Sequence, residues 1–159
     1  MFEKYVFGYG SLLSKESIEK TCPTAEIVEI YFLKDYVRVF NKDASTYSAL
    51  NLVKKVGEEI GVNGVVLKIT DELEYEKLLA REHGYDEIVL DHPEFTLITF
   101  ISEMNYKKFD FSSERQLKYF KTCLDGAQSQ GDDFLDHYLK TTLIIDKKLN
   151  ELLDNKDLF

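Results

Sequence analysis

The chain has no tryptophan, two prolines, two cysteines and three histidines among its 159 residues, and each scarcity excludes something. Cys22 and Cys123 stand far apart, with no neighbour at metal-ligand spacing, which argues against a zinc module and against a disulfide scaffold. His83, His92 and His137 form no His-x-x-x-His pair and none adjoins a cysteine. No metal and no cofactor is therefore expected. With Pro23 and Pro93 as the only prolines, and no repeat or low-complexity tract, no linker divides residues 1–159, which read as one domain. No apolar run approaches the roughly 20 residues that span a bilayer, and Glu3 and Lys4 precede a short β-like run rather than a leader, so a cytoplasmic location is expected. A formal net charge of -9 disfavours nucleic acid and anionic membrane surfaces as partners. A small molecule is the expected partner, for a monomer or homodimer.

What is present in quantity is apolar and aromatic side chain, 44% and 13% of the residues, enough to enclose a substantial core. The stretch Tyr5-Val6-Phe7-Gly8-Tyr9-Gly10-Ser11-Leu12-Leu13 stands out within it. An apolar β-prone run reaches a turn with glycines at alternate positions, and a helix capped by Ser14 follows. Glycine lets main chain pass close to a ligand, so amides between Gly8 and Leu12 can converge on an oxygen, with the following helix adding a partial positive charge. An ordinary strand-to-helix turn has the same spacing. Leu13 stands where a dinucleotide fingerprint needs its third glycine, and Tyr9 and Leu13 flank Ser11 where a nucleophile elbow needs glycines.

Beyond a helix over 15–21, residues 25–41 are dense in β-branched and aromatic side chains and read as two strands or one long bent one, with the bend at Lys34-Asp35. Residues 47–53 and 62–69 read as further strands, with Asn63-Gly64 signalling a turn or bulge. Asp71 and Glu74 form a capping box that opens a helix to about residue 82, stopped at Gly84. Strands follow over 85–90 and 95–101, separated by the Asp91-His92-Pro93 turn. Ser113 and Gln116 form a second capping box, opening a helix whose buried stripe is Leu117, Phe120, Leu124 and Ala127, with Gly126 marking close packing or a break. A helix over 132–143 buries Phe134, Leu135, Tyr138, Leu139 and Thr142, and residues 147–159 read as a short, weakly held helix. Strands first and helices last do not make a βαβ rhythm. The fold class is α+β, a small mixed, partly closed, barrel-like sheet with packed helices.

Along the helix over 71–82, Tyr75, Leu78 and Leu79 share a face, and Glu82 follows them by seven, four and three residues. A carboxylate on an apolar face in the last helical turn has its pKa raised by desolvation and by the helix dipole. It can accept a proton near neutral pH and return it. The structural alternative is that Glu82 swings outward at a frayed helix end, or pairs with Arg81 or a more distant base.

Three segments in order resemble the γ-glutamylcyclotransferase superfamily and together cover most of the chain. Phe7-Gly8-Tyr9-Gly10-Ser11-Leu12 is similar to its Tyr-Gly-Ser-Leu substrate loop; Arg81-Glu82-His83-Gly84-Tyr85 is similar to the Arg-Glu-x-Gly-Tyr segment bearing its catalytic glutamate. Tyr119, then Cys123-Leu124-Asp125-Gly126-Ala127 and Tyr138, resemble its tyrosine and Gly-Ala helix pair. The resemblance implies the family's fold and its reaction, cyclisation of a γ-glutamyl group to 5-oxoproline with release of an amine or amino acid. It makes Glu82 the catalytic acid and base, and assigns Tyr9, Gly10, Ser11, Leu12 and Tyr119 to substrate binding, with Tyr85 a further pocket residue. Many relatives carry an acid shortly before the Arg-Glu pair, where this chain has Leu78-Leu79-Ala80.

Two other readings compete. A binding module of the same fold would hold a γ-glutamyl or other carboxylate ligand without turning it over, but such a binder gains nothing from a nearby glutamate. A hydrolase using Ser11 as nucleophile needs a histidine within reach of it.

Overall fold

The computed structural model describes residues 1–103 and 106–144 and the backbone of 147–148. The chain runs β1 (Lys4–Gly8), a 3-10 turn (Ser11–Leu13), α1 (Lys15–Thr21), β2 (Glu26–Leu33), β3 (Tyr36–Asp43), β4 (Ser48–Lys54) and β5 (Val62–Ile69). It continues with α2 (Glu72–Arg81), β6 (Asp86–Leu90), β7 (Leu97–Ile101), α3 (Glu114–Ser129), α4 (Asp132–Thr141), β8 (Thr142–Ile144) and β9 (Lys147–Lys148). Two mixed, open sheets result, in the strand orders β2-β5-β1-β7-β6 and β4-β3-β8-β9. The class is α+β, as expected.

β1 is central because its side chains are apolar on both faces: Val6 and Phe7 are buried, as are Val65, Val66 and Leu67 of β5. It pairs antiparallel with β5, Val6 opposite Leu67, and parallel with β7, Val6 opposite Ile98. The carboxyl end of β1 is thereby fixed in the middle of the molecule. Two buried side-chain amides stitch the remaining parts to this frame. Asn51 of β4 donates to the Ser102 carbonyl (2.6 Å) and accepts from the Ser102 amide (2.9 Å), joining the two sheets. Gln116 of α3 does the same with Ser48, at 2.9 and 2.7 Å, holding the helix to the start of β4.

Helix starts follow their caps. Ser14 Oγ accepts from the Ser17 amide, Asp71 from those of Leu73 and Glu74, and Ser113 Oγ from Gln116. The capping boxes are only half made. Glu74 is buried and accepts from the amide and hydroxyl of Thr24 (2.9 and 2.5 Å), while the Gln116 amide is committed to Ser48. α3 also crosses directly over the 3-10 turn. A Cβ on Gly126 would lie 2.7 Å from the Ser14 nitrogen and 2.8 Å from the Leu13 carbonyl carbon, so only glycine lets the two backbones meet.

The structure corrects several details. Asn63 and Gly64 lie inside β5, not in a turn: the Asn63 amide donates to the Phe134 carbonyl (2.9 Å), and a side chain at 64 would meet the Phe7 ring at 2.5 Å. The buried face of α3 is Gln116, Phe120, Cys123, Gly126 and Ala127, with Leu117 and Leu124 at its margins. On α2, Leu79 is exposed while Glu74, Tyr75 and Leu78 are buried. Thr142 begins β8 rather than ending a helix. Of the helix expected over 147–159, the first two residues are in β9 and the rest lie outside the described residues. Among the described residues no helix is long and apolar enough to cross a membrane.

Candidate active site

The chain leaves β1 at Gly8 and closes its 3-10 turn with the Leu13 amide donating to the Gly10 carbonyl at 3.0 Å. The amides of Ser11 and Leu12 precede that closing bond, in the position where a helix start has donors to offer. Tyr9 and Leu12 anchor the turn through buried side chains, and the Tyr9 hydroxyl donates to the Phe100 carbonyl at 2.5 Å. The turn borders a recess of about 30 Å³ bounded by residues 7–12, Leu50, Glu82, Tyr85, Thr99, Phe100 and Tyr119. A cleft of about 810 Å³ adjoins it and shares Ser11, Glu82, Tyr85 and Tyr119 with it.

Glu82 stands at the junction. It is the C-cap of α2, its amide bonded back to the Leu78 carbonyl, and its side chain is 14% exposed. Burial pushes its pKa up, and Arg81, whose Nε lies 3.8 Å from Glu82 Oε1, partly opposes the shift. The Arg81 guanidinium is itself held by the Ser17 carbonyl (3.0 Å), Thr21 Oγ1 (3.2 Å) and Ser11 Oγ (2.6 Å). The two alternatives read from the sequence, burial and pairing with Arg81, thus coexist. Both side chains line the cleft, and Arg81 at the same time reaches α1 and the turn through these bonds.

Two tyrosines frame the opposite wall by gripping one residue of β4. Tyr119 OH accepts from the Leu50 amide (3.0 Å), and Tyr85 OH donates to the Leu50 carbonyl (2.9 Å). The Tyr47 ring packs on Tyr119, centroids 4.7 Å apart. Tyr9, Gly10, Ser11, Leu12, Glu82, Tyr85 and Tyr119 are thus brought together around one recess. Ser11 presents its hydroxyl to Arg81, a cation and not a base, which does not serve a serine nucleophile.

From the sequence Arg81 was visible only as a partner for Glu82, Leu50 had no role, and Lys42 was not singled out within the segment 41–47, where it lines the cleft with Asp43, Ala44 and Tyr47. Arg81 was visible in the Arg-Glu segment; nothing marked Lys42, whose burial depends on long-range packing. Among the described residues no three His, Cys, Asp or Glu side chains cluster as metal ligands would.

The fold has solved counterparts. A structure described as gamma-glutamyl cyclotransferase matches 98% of this chain and 98% of its own, with a TM-score of 0.70 at 19% identity. An uncharacterized protein from Homo sapiens matches over 97% of both chains, with a TM-score of 0.67 at 20% identity. YkqA from Bacillus subtilis matches 86% of this chain and 52% of its own, with a TM-score of 0.60 at 18% identity. No protein-family model and no curated protein matches the sequence. The likenesses are of fold, and that fold is the γ-glutamylcyclotransferase-like one the sequence segments resemble.

Proposed function

We propose that this chain is a γ-glutamylcyclotransferase, converting a γ-glutamyl compound to 5-oxoproline and a free amine with Glu82 as general base and then general acid. The observation that carries the reading is a carboxylate of raised proton affinity, 14% exposed, at the junction of a cleft with a recess bordered by the glycine turn.

The chemistry asks for little else. The substrate supplies its own nucleophile: its α-amino nitrogen attacks its own γ-carbonyl carbon, and because both belong to one molecule the entropic part of the barrier is already small. The ammonium first loses one proton to solvent. Attack forms the ring C–N bond and moves the carbonyl electron pair onto oxygen; Glu82 removes the second proton from the attacking nitrogen. Collapse of the oxyanion breaks the bond to the leaving nitrogen, which takes the proton back from Glu82. A pKa between those of an ordinary carboxylic acid and an amine suits a group that must do both. The amides of Gly10, Ser11 and Leu12 serve the glutamyl carboxylate or the oxyanion, which they stabilise by preorganised dipoles. The recess admits one small polar end of the substrate, and the cleft holds the remainder.

The reaction is tested by mass-spectrometric detection of 5-oxoproline after incubating the protein with γ-glutamyl amino acids, γ-glutamyl amines and glutathione. Product lost in the Glu82→Gln protein supports the reading; absence of product from the whole panel, with folded protein, overturns it in favour of a carboxylate-binding module.

A further inference from the structure

Lys42 is buried at 7% exposure, yet it lies on the wall of the cleft. Its ammonium donates to the Asp43 carbonyl at 2.7 Å and sits 5.4 Å from the centroid of the Tyr85 ring. A Cβ on Gly84 would stand 3.2 Å from Nζ, so this cation rests on the turn that carries Glu82. It takes part in none of the ion pairs found among the described residues. The neighbouring acids are otherwise engaged: Asp43 Oδ1 accepts from the Ser45 amide (2.9 Å), and Glu82 lies beside Arg81. One carbonyl and one ring face do not exhaust three N–H donors, and a buried ammonium is costly unless an anion completes its surroundings.

We propose that Lys42 binds the α-carboxylate of the leaving amino acid, so that γ-glutamyl amino acids, and not γ-glutamyl amines, are the substrates. The inference rests on the cyclotransferase reading for the identity of the ligand. In a γ-glutamyl amino acid the carboxylate is two bonds from the leaving nitrogen, the atom that Glu82 protonates. A cation seated against residue 84 therefore faces the place where that carboxylate falls. The ammonium lies beside the Tyr85 ring and Gly84 on a residue that is only 7% exposed, and shielding from water strengthens a charge-assisted hydrogen bond there. Lys20 also borders the cleft, but its side chain is 73% exposed and pairs with Glu16, so water and that partner screen it.

The test uses two ligands differing only in that charge, γ-glutamyl-L-alanine and γ-glutamyl-L-alaninamide. Their binding to the Glu82→Gln protein is measured by calorimetry, with and without Lys42→Met or Lys42→Arg, and product formation is measured with the wild type. The acid should bind roughly tenfold or more tightly than the amide; Lys42→Met should erase the difference and Lys42→Arg should keep most of it. Equal binding of the two ligands overturns the proposal, even if Lys42→Met does not fold, and so does a preference that survives in a folded Lys42→Met protein. Discrimination without product from the wild type upholds the carboxylate site and removes the enzyme reading; product without discrimination does the reverse. Neither ligand binding removes both.

Discussion

Arg81 Nη2 donates to Ser11 Oγ at 2.6 Å, and this bond ties the helix end that carries Glu82 to the glycine turn seventy residues earlier in the chain. The same guanidinium reaches two groups of α1, so one side chain sets the spacing between the proposed proton carrier and the proposed substrate cradle.

Replacing Arg81 by methionine should separate those two parts. KM for the reacting γ-glutamyl compound is expected to rise at least about tenfold, the scale of losing a charge-assisted hydrogen bond. Arg81 also holds the Glu82 pKa down, so the acid limb of kcat/KM against pH should move to higher pH in the variant. A limb that stays where it is in the wild type would mean that the guanidinium does not act on this carboxylate.

Glu82→Gln is expected to lower kcat by at least roughly a hundredfold, the usual contribution of a general base. It should also stabilise the fold at pH 8. Burial raises the folded-state pKa of Glu82, so within the window above its unfolded value the native protein holds a proton that the unfolded chain has released. Stability falls as pH rises through that window, and the penalty is complete above it. The Tm gain of the variant over the wild type should therefore shrink as the pH is lowered toward 4; a gain independent of pH would trace to packing instead.

Gly126→Ala adds one methyl group against the backbone of Leu13 and Ser14, with no flexible side chain to yield. A loss of about 1–3 kcal/mol in denaturant unfolding is expected from such overpacking, together with weaker ligand binding as the 3-10 turn shifts. Normal stability would show that α3 can slide away at no cost.

Both thiols should be dispensable. Burial raises Cys22 to about 11 and Cys123 to about 12, leaving each protonated and unreactive near neutral pH. Neither lines the recess or the cleft. Cys22→Ser and Cys123→Ser should cost about 1 kcal/mol of stability and leave turnover within about twofold; a larger loss of turnover in a folded variant would mean that a thiol takes part in the reaction.

Local signals in the sequence carried most of the strand and helix pattern. The bend at Lys34-Asp35 appears as the turn between β2 and β3, with Asp35 at φ 65°. Glu82 was singled out by spacing alone, and the structure buries it beside the glycine turn. The misreadings share one cause, partners remote in sequence. Asn63-Gly64 signals a turn in isolation, but Asn63 is held by the carbonyl of Phe134 and by the buried guanidinium of Arg38. Gln116 looks like a capping residue and is recruited by Ser48. Leu79 carries the right spacing for a core position yet is 39% exposed among the described residues, and Lys42 gives no sign of burial within its own segment.

Gly126 is the point where α3 touches the turn. In the order of synthesis, the cradle residues emerge first, the proton carrier next and their buttress last. A nascent chain short of Gly126 holds the turn without its backing, so no early fragment has a formed site and capture of a ligand must wait for most of the chain. Ligand added to N-terminal fragments should consequently give no protection from proteolysis, however native their first strands are.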